Sequence, residues 1–231
     1  MTSRLGVWSS HVQLACSKDA AAAQFGPGVA ASVLPLAVSE PQESTPNRKP
    51  PAELRIGFFG RFEGRKRPEL VVETVRCLVD MGVDACAELF GDGPMVGEVM
   101  AAIERNGLRD RVVIRPGTLD PVGEMTRFRV VLVPSIFEGF GLVPVEAASA
   151  GVPLVATTEV QSARLLDGPV RILEVSDSAD EWAAAVREVG SAQTTYGAKT
   201  RALLAGLAPE VSAAGLDATY RALLTATDQQ R

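Results

Sequence analysis

The sequence contains one histidine and three cysteines, has no surplus of positive charge, and has no long apolar run. Each shortage removes a class of function. His11 stands in the N-terminal segment, away from every motif described below, so no catalytic role is expected of it. Cys16, Cys77 and Cys86 are too few and too scattered for a disulfide framework or a zinc site. Their odd number suits a reducing compartment, and buried thiols are expected. Lysine and arginine total 23 against 28 aspartate and glutamate residues, a net charge of −5. There is thus no excess positive field for a phosphate backbone, and nucleic-acid binding is not expected. No stretch approaches the ~18 apolar residues that span a bilayer, and the opening residues lack the apolar core of a signal peptide. The cytoplasm is therefore the expected compartment.

What remains is a globular composition, 46% hydrophobic and 22% charged with 21 glycines and 15 prolines, which excludes disorder, collagen and solenoids. At ~150 residues per domain, 231 residues make about one and a half domains. An alternating pattern begins at Leu54. Leu54 to Gly60 reads as a strand, and Pro68 to Met81 as a helix with Val71, Val72, Val75, Leu78 and Val79 on one face and Gly82 closing it. Ala85 to Phe90 is a second strand, followed by a helix through Val96, Val99 and Ile103 to Gly107, then a strand from Val112 to Ile114. Val130 to Pro134, Leu142 to Ala150 and Pro153 to Ala156 continue the alternation, and Ser178 with Glu181 forms a capping box for a helix carrying Trp182, Val186 and Val189. The strands are continuous apolar runs, as a sheet covered on both faces demands. The expected fold class is a doubly wound parallel α/β domain over 54–208.

Before it, residues 39–53 hold four prolines and read as an extended linker. Residues 1–38, with strands at Val12 to Cys16 and Ser32 to Leu36 around a helix from Lys18 to Phe25, are too few to bury a core and read as the end of a domain whose beginning is absent. Trp8 is expected to be a contact of that domain. Residues 209–231 carry a C-terminal helical pattern, interrupted at Gly215, that would dock on it.

Ligands of open parallel sheets sit beyond the carboxyl ends of the strands, where three loops stand out. In Gly60-Arg61-Phe62-Glu63-Gly64-Arg65-Lys66-Arg67, four of eight residues are cationic. Arg61 can grip phosphate oxygens with two donors and Lys66 can add a point charge, which describes a diphosphate site, although a solvated basic loop is the plain alternative. Gly91-Asp92-Gly93-Pro94 has a superficial likeness to a dinucleotide fingerprint. Its next glycine, Gly97, comes one residue late, and a tight strand-to-helix turn is the favoured reading. The third loop, Pro134 to Ala147, places glycines on both sides of Phe140 just before a helix with an early Pro144. Free amides at such a start bind phosphate. Glu138 and Glu146 flank that site, and a carboxylate there suits a neutral vicinal diol, as on a ribose or sugar ring. Taken singly, Glu138 reads as a solvated loop residue and Glu146 as a dipole-stabilising acid.

Gly60-Arg61, Lys66, Gly91-Asp92-Gly93-Pro94, Glu138-Gly139-Phe140-Gly141-Leu142 and Glu146, in this order and spacing, resemble the C-terminal half of a family 4 retaining glycosyltransferase with the GT-B fold. The resemblance covers about Val12 to Tyr220. It implies that the donor is a nucleoside-diphosphate sugar and that transfer retains anomeric configuration. Arg61 and Lys66 would stabilise the departing diphosphate without a metal or other cofactor, Glu138 would contact the transferred sugar, and Glu146 would hold the ribose. The amides of Gly139, Phe140, Gly141 and Leu142 would receive the sugar and distal phosphate, and Arg115, Pro116, Gly117 and Thr118 would line the base pocket. Where the family shows a glycine pair and then Pro-Glu, this chain has Thr158-Glu159-Val160-Gln161-Ser162-Ala163-Arg164, so contacts from that loop are not carried over.

Three functions compete. The first is a sugar transferase whose acceptor half, able to reach a peripheral membrane acceptor, is missing or supplied by a partner chain. The second is a non-catalytic nucleotide-sugar-binding remnant or the donor subunit of a split enzyme. The third is a nucleotide-sugar epimerase.

Overall fold

The computed structural model describes residues 13–26, 28, 31–34, 36–38, 53–191 and 195–228. Trp8, His11 and nearly all of the expected linker lie outside these residues. Six apolar segments form one parallel sheet: β3 (Leu54–Phe59), β4 (Ala85–Phe90), β5 (Val112–Arg115), β6 (Val130–Val133), β7 (Leu154–Thr157) and β8 (Val170–Leu173). Their order is β5-β4-β3-β6-β7-β8. The chain thus builds outward from β3 in one direction and then returns to β3's other side with β6, the doubly wound arrangement expected. β3 runs in register with β4 from Leu54↔Ala85 to Phe59↔Phe90, and with β6 from Ile56↔Val130 to Phe58↔Leu132.

Alternating side chains send each strand's residues to two cores. Ile56, Phe58, Ala87, Leu89, Val130 and Leu132 face one, covered by α2 (Pro68–Asp80), α3 (Val96–Arg105) and α7 (Ala179–Ser191). α2 buries Leu70, Val71, Val72, Val75 and Leu78 there, each contributing roughly 1.5–3 kcal/mol. Phe59, Phe90, Val131, Val133, Leu154 and Ala156 face the other core, under α4 (Pro121–Met125), α5 (Leu142–Ser149), α6 (Gln161–Leu165) and α8 (Ala198–Gly206). α7 starts with the predicted capping box: Ser178 N–H donates to Glu181 Oε2 at 2.7 Å, and Glu181 N–H donates to Ser178 Oγ at 3.4 Å.

The N-terminal segment forms β1 (Leu14–Ala15), α1 (Lys18–Phe25) and β2 (Ser32–Val33), with β1 and β2 parallel. It joins the sheet domain through Val38, whose N–H donates to the Leu207 carbonyl at 2.9 Å. α9 spans Pro209–Asp228 without a break. The interruption expected at Gly215 does not occur, and the missing side chain there leaves room for Leu34, whose Cδ1 would stand 3.1 Å from an added Cβ. The cysteines are unbonded but half-buried rather than fully buried; burial pushes the Cys86 thiol up to about 12. Among the described residues no helix is long and apolar enough to cross a membrane.

Candidate functional site

β3 and β6 are neighbours although 70 residues of chain separate their ends, so the loops that follow them meet at the carboxyl edge of the sheet. The backbone itself ties them: Ile136 N–H donates to the Arg65 carbonyl at 2.8 Å. Side chains tie them again, because Lys66 Nζ donates to Glu138 Oε1, which also accepts from Ser135 Oγ at 2.9 Å. With 18% and 12% of their side-chain surface exposed, Lys66 and Glu138 form a half-buried pair, so Glu138 is no solvated loop residue.

The four cations of the first loop have separate roles. Arg65 Nε binds Glu63 at 2.7 Å, and Arg67 Nη1 donates to the Val175 carbonyl at 2.7 Å, anchoring the turn that starts α2. Lys66 is held by Glu138. Arg61 is exposed, and its guanidinium makes no hydrogen bond or salt bridge among the described residues. The loop is therefore not a uniformly solvated basic patch: it offers one uncommitted guanidinium and one ammonium beside a carboxylate.

Gly91 and Gly93 belong to the framework under this loop. Gly60 N–H donates to Phe90 O at 3.0 Å, and Phe62 N–H donates to Asp92 O at 2.9 Å. A Cβ on Gly91 would stand 1.9 Å from the Gly60 carbonyl oxygen, and one on Gly93 would stand 2.4 Å from the Phe62 carbonyl oxygen. Glycine is present because two backbones touch, which accounts for the tight turn without any ligand.

The segment 139–142 shows a regular device. Three successive carbonyls are held by neighbours: Gly139 O accepts from Ser17 Oγ at 2.7 Å, Phe140 O from Ser162 N–H at 3.0 Å, and Gly141 O from Ser162 Oγ at 2.6 Å. In a trans peptide the N–H points opposite to its C=O. The amides of Phe140, Gly141 and Leu142 are thereby turned away from these anchors, and none of them donates to an acceptor among the described residues. Gly141, at φ 82°, caps α5, so the freed amides stand at the positive end of that helix. Successive unpaired amides of this kind form an anion-binding concavity.

Glu146 lies on the second turn of α5, past the first turn where a dipole-stabilising acid would sit. Burial pushes its carboxyl above the usual range, and its carboxylate has no hydrogen bond or ion pair among the described residues. A raised folded-state pKa means that the group's contribution to stability is complete below the unfolded pKa and is lost as pH rises through the folded one. Glu146→Gln should consequently raise the thermal midpoint slightly near neutral pH, with the difference vanishing below about pH 4. A lowered midpoint near neutrality would mean that the carboxylate has a stabilising partner.

Beside Gly60 a cleft of about 280 Å³ opens between the ends of β3, β4 and β5, with Phe59, Phe90, Arg61, Gly117 and Thr118 in its walls. Phe59 and Phe90 stack with centroids 4.8 Å apart, and Phe128 packs edge-on against both. Of residues 115–118, Gly117 and Thr118 line this cleft. Arg115 turns to Glu88, at 2.8 Å, a carboxylate that Arg127 also holds at 2.9 Å, and exposed Pro116 stays out of the cleft. A larger hollow of about 620 Å³, lined by Leu54, Arg129 and Gly190, lies at the amino ends of β3 and β6, away from the amides and Lys66. Among the described residues no group of three or more His, Cys, Asp or Glu side chains could hold a metal ion.

Ser17, Ser135 and Ser162 are the contributors that the motifs did not single out. Ser17, directly before a helix, was recognisable as a cap, but its partner lies 122 residues away.

A family model described as "Glycosyl transferases group 1" matches residues 53–191. The D-inositol 3-phosphate glycosyltransferase of Segniliparus rotundus is 31% identical over 189 residues, covering 75% of this chain and 41% of that protein. Among solved structures, the pneumococcal O-GlcNAc transferase GtfA in complex with UDP and GlcNAc superposes with a TM-score of 0.66 at 15% identity, covering 88% of this chain and 42% of that one. Anabaena HepE in complex with UDP and glucose gives a TM-score of 0.63 at 20% identity, covering 74% of this chain and 48% of that one. At these identities the structural likeness is one of fold. The chain spans less than half the length of each of these proteins.

Proposed function

This chain belongs to the group 1 glycosyl transferases, with the Rossmann-like fold of the GT-B type, and from that premise we propose that residues 54–208 bind a nucleoside-diphosphate sugar donor for transfer with retained anomeric configuration. The observation that carries this reading is the convergence of three unpaired amides, uncommitted Arg61 and Lys66 on one edge of the sheet. A diphosphate needs donors and positive charge in the same few ångströms, and this edge supplies both. The base would enter the aromatic-walled cleft and lie against Phe59, Phe90, Gly117 and Thr118. Glu146 would accept two hydrogen bonds from the ribose diol, which repays the burial of its carboxylate. Glu138 would face the transferred sugar. When the bond between the anomeric carbon and the phosphate oxygen breaks, the diphosphate leaves with the electron pair, and Arg61 and Lys66 take up the developing charge in the place of a metal ion.

The acceptor would be held by a domain packed against residues 13–38 and α9, on the same polypeptide or a partner. Leu216, Tyr220 and Leu224, spaced four residues apart along one face of α9, are exposed there, and such an apolar stripe suits a protein contact. The cytoplasm, where nucleotide sugars and the free thiols would both be stable, is the proposed compartment.

Calorimetric titration of the chain with UDP, GDP and ADP should show saturable binding of at least one of them, unchanged by EDTA. Absence of heat with all three would overturn the donor site, and loss of binding in EDTA would overturn its independence of metal. Glu146→Gln should bind the preferred nucleotide roughly tenfold more weakly while being the more stable protein, so affinity and stability move in opposite directions.

A further inference from the structure

We propose that Ser17 and Ser162 are positioning residues that set three consecutive peptide planes, so that the amides of Phe140, Gly141 and Leu142 face the distal phosphate of the donor. The inference rests on the donor-site reading above and assigns roles to two residues outside its motifs.

The segment cannot set these planes alone. Gly139 and Gly141 lack the side chain that restricts backbone rotation, and glycine pays the largest entropy to adopt one conformation. Their smallness serves a close approach: a Cβ on Gly139 would lie 3.2 Å from Ala20 Cβ, and one on Gly141 would lie 3.4 Å from Ser162 Oγ. Orientation must then come from the elements that approach. Ser17 Oγ accepts from Ala20 N–H at 3.0 Å as the cap of α1, which leaves its single proton to donate to Gly139 O. Ser162 spends its N–H on Phe140 O and its hydroxyl on Gly141 O. Both serines are buried, at 5% and 0% exposure, so water does not compete for these bonds. Ser162 lies on α6, within the 158–164 segment that departs from the family pattern, and Ser17 lies in the N-terminal segment. Residues 13–25 are thereby part of the site's framework.

Wild type, Ser17→Ala, Ser162→Ala and Ser17→Thr are titrated calorimetrically with the nucleoside diphosphate that wild type binds best among UDP, GDP and ADP, and with the matching monophosphate. Each alanine variant should lose about tenfold in diphosphate affinity, the effect of one hydrogen bond that orients a charged contact, and keep its monophosphate affinity. Ser17→Thr, which retains the hydroxyl, should bind like wild type. Diphosphate affinities equal to wild type in the alanine variants would overturn this inference alone. So would equal losses for both ligands, because a general loosening of the fold does not discriminate between them. Should Ser162→Ala not fold, Ser17→Ala decides by itself, since its carbonyl partner is separate. Failure of wild type to bind any diphosphate would instead overturn the donor site, and this inference with it.

Discussion

Gly91→Ala is expected to cost more than about 4 kcal/mol, enough to leave little or no folded chain from a protein of ordinary stability. The added Cβ would stand 1.9 Å from the Gly60 carbonyl oxygen, a backbone atom that cannot swing aside. Gly60 is itself held to Phe90, and Gly91 N–H donates to Arg115 O at 3.0 Å, so the clash involves three strand ends at once. The residue's φ of 152° adds strain for any side chain. Gly97 is the contrasting position. It lies inside α3, and an added Cβ meets nothing within 4 Å, so Gly97→Ala should stabilise by about 0.5–1 kcal/mol. Thermal and urea melts of the two variants make the comparison. A folded Gly91→Ala protein with a near wild-type midpoint would disprove the close approach of the two loops.

Lys66→Ala is expected to weaken nucleoside-diphosphate binding about 100-fold, the loss of one charge-assisted contact in a partly desolvated site. It should also cost about 1–3 kcal/mol of stability, because Glu138, with 12% of its side-chain surface exposed, then keeps only the Ser135 hydroxyl. These two effects separate in a double variant. Glu138→Gln added to Lys66→Ala removes the orphaned charge and should recover stability, whereas affinity for the diphosphate should stay low. Recovery of affinity along with stability would mean that Lys66 serves only to neutralise Glu138, and the diphosphate role would pass to Arg61.

Much of the architecture was legible because the central strands β6 and β7 are apolar on both faces and α2, α3 and α7 each carry one apolar stripe. β4 occupies the Ala85 to Phe90 run as expected, α2 and α7 begin at the proline and the capping box that mark them, α3 begins at Val96 where its apolar spacing starts, and α5 begins at Leu142. Short elements escaped notice. α4 and α6 have five residues each, less than two turns, so no periodicity can develop in them. β8 is an edge strand with only Leu173 fully buried and lacks the continuous apolar run of the central strands. At the site, the residue types were visible and their pairings were not. Nothing local connects Lys66 to Glu138, 72 residues on, or Arg115 to Glu88.

By itself the sequence determined the alternation of strands and helices, which depends on neighbours within a turn or a pleat, and the residue types of the two loops, the glycines among them; that Gly91 and Gly93 meet the backbone of Gly60 and Phe62 is a property of the folded sheet. Only the tertiary structure decided which of four cations remains available, that Glu138 is paired while Glu146 is not, and that serines from two distant segments hold the carbonyls of one loop. The reason is strand order. Placing β6 beside β3 is a property of the whole sheet, and that adjacency brings an amide-lined turn and a basic loop to the same edge.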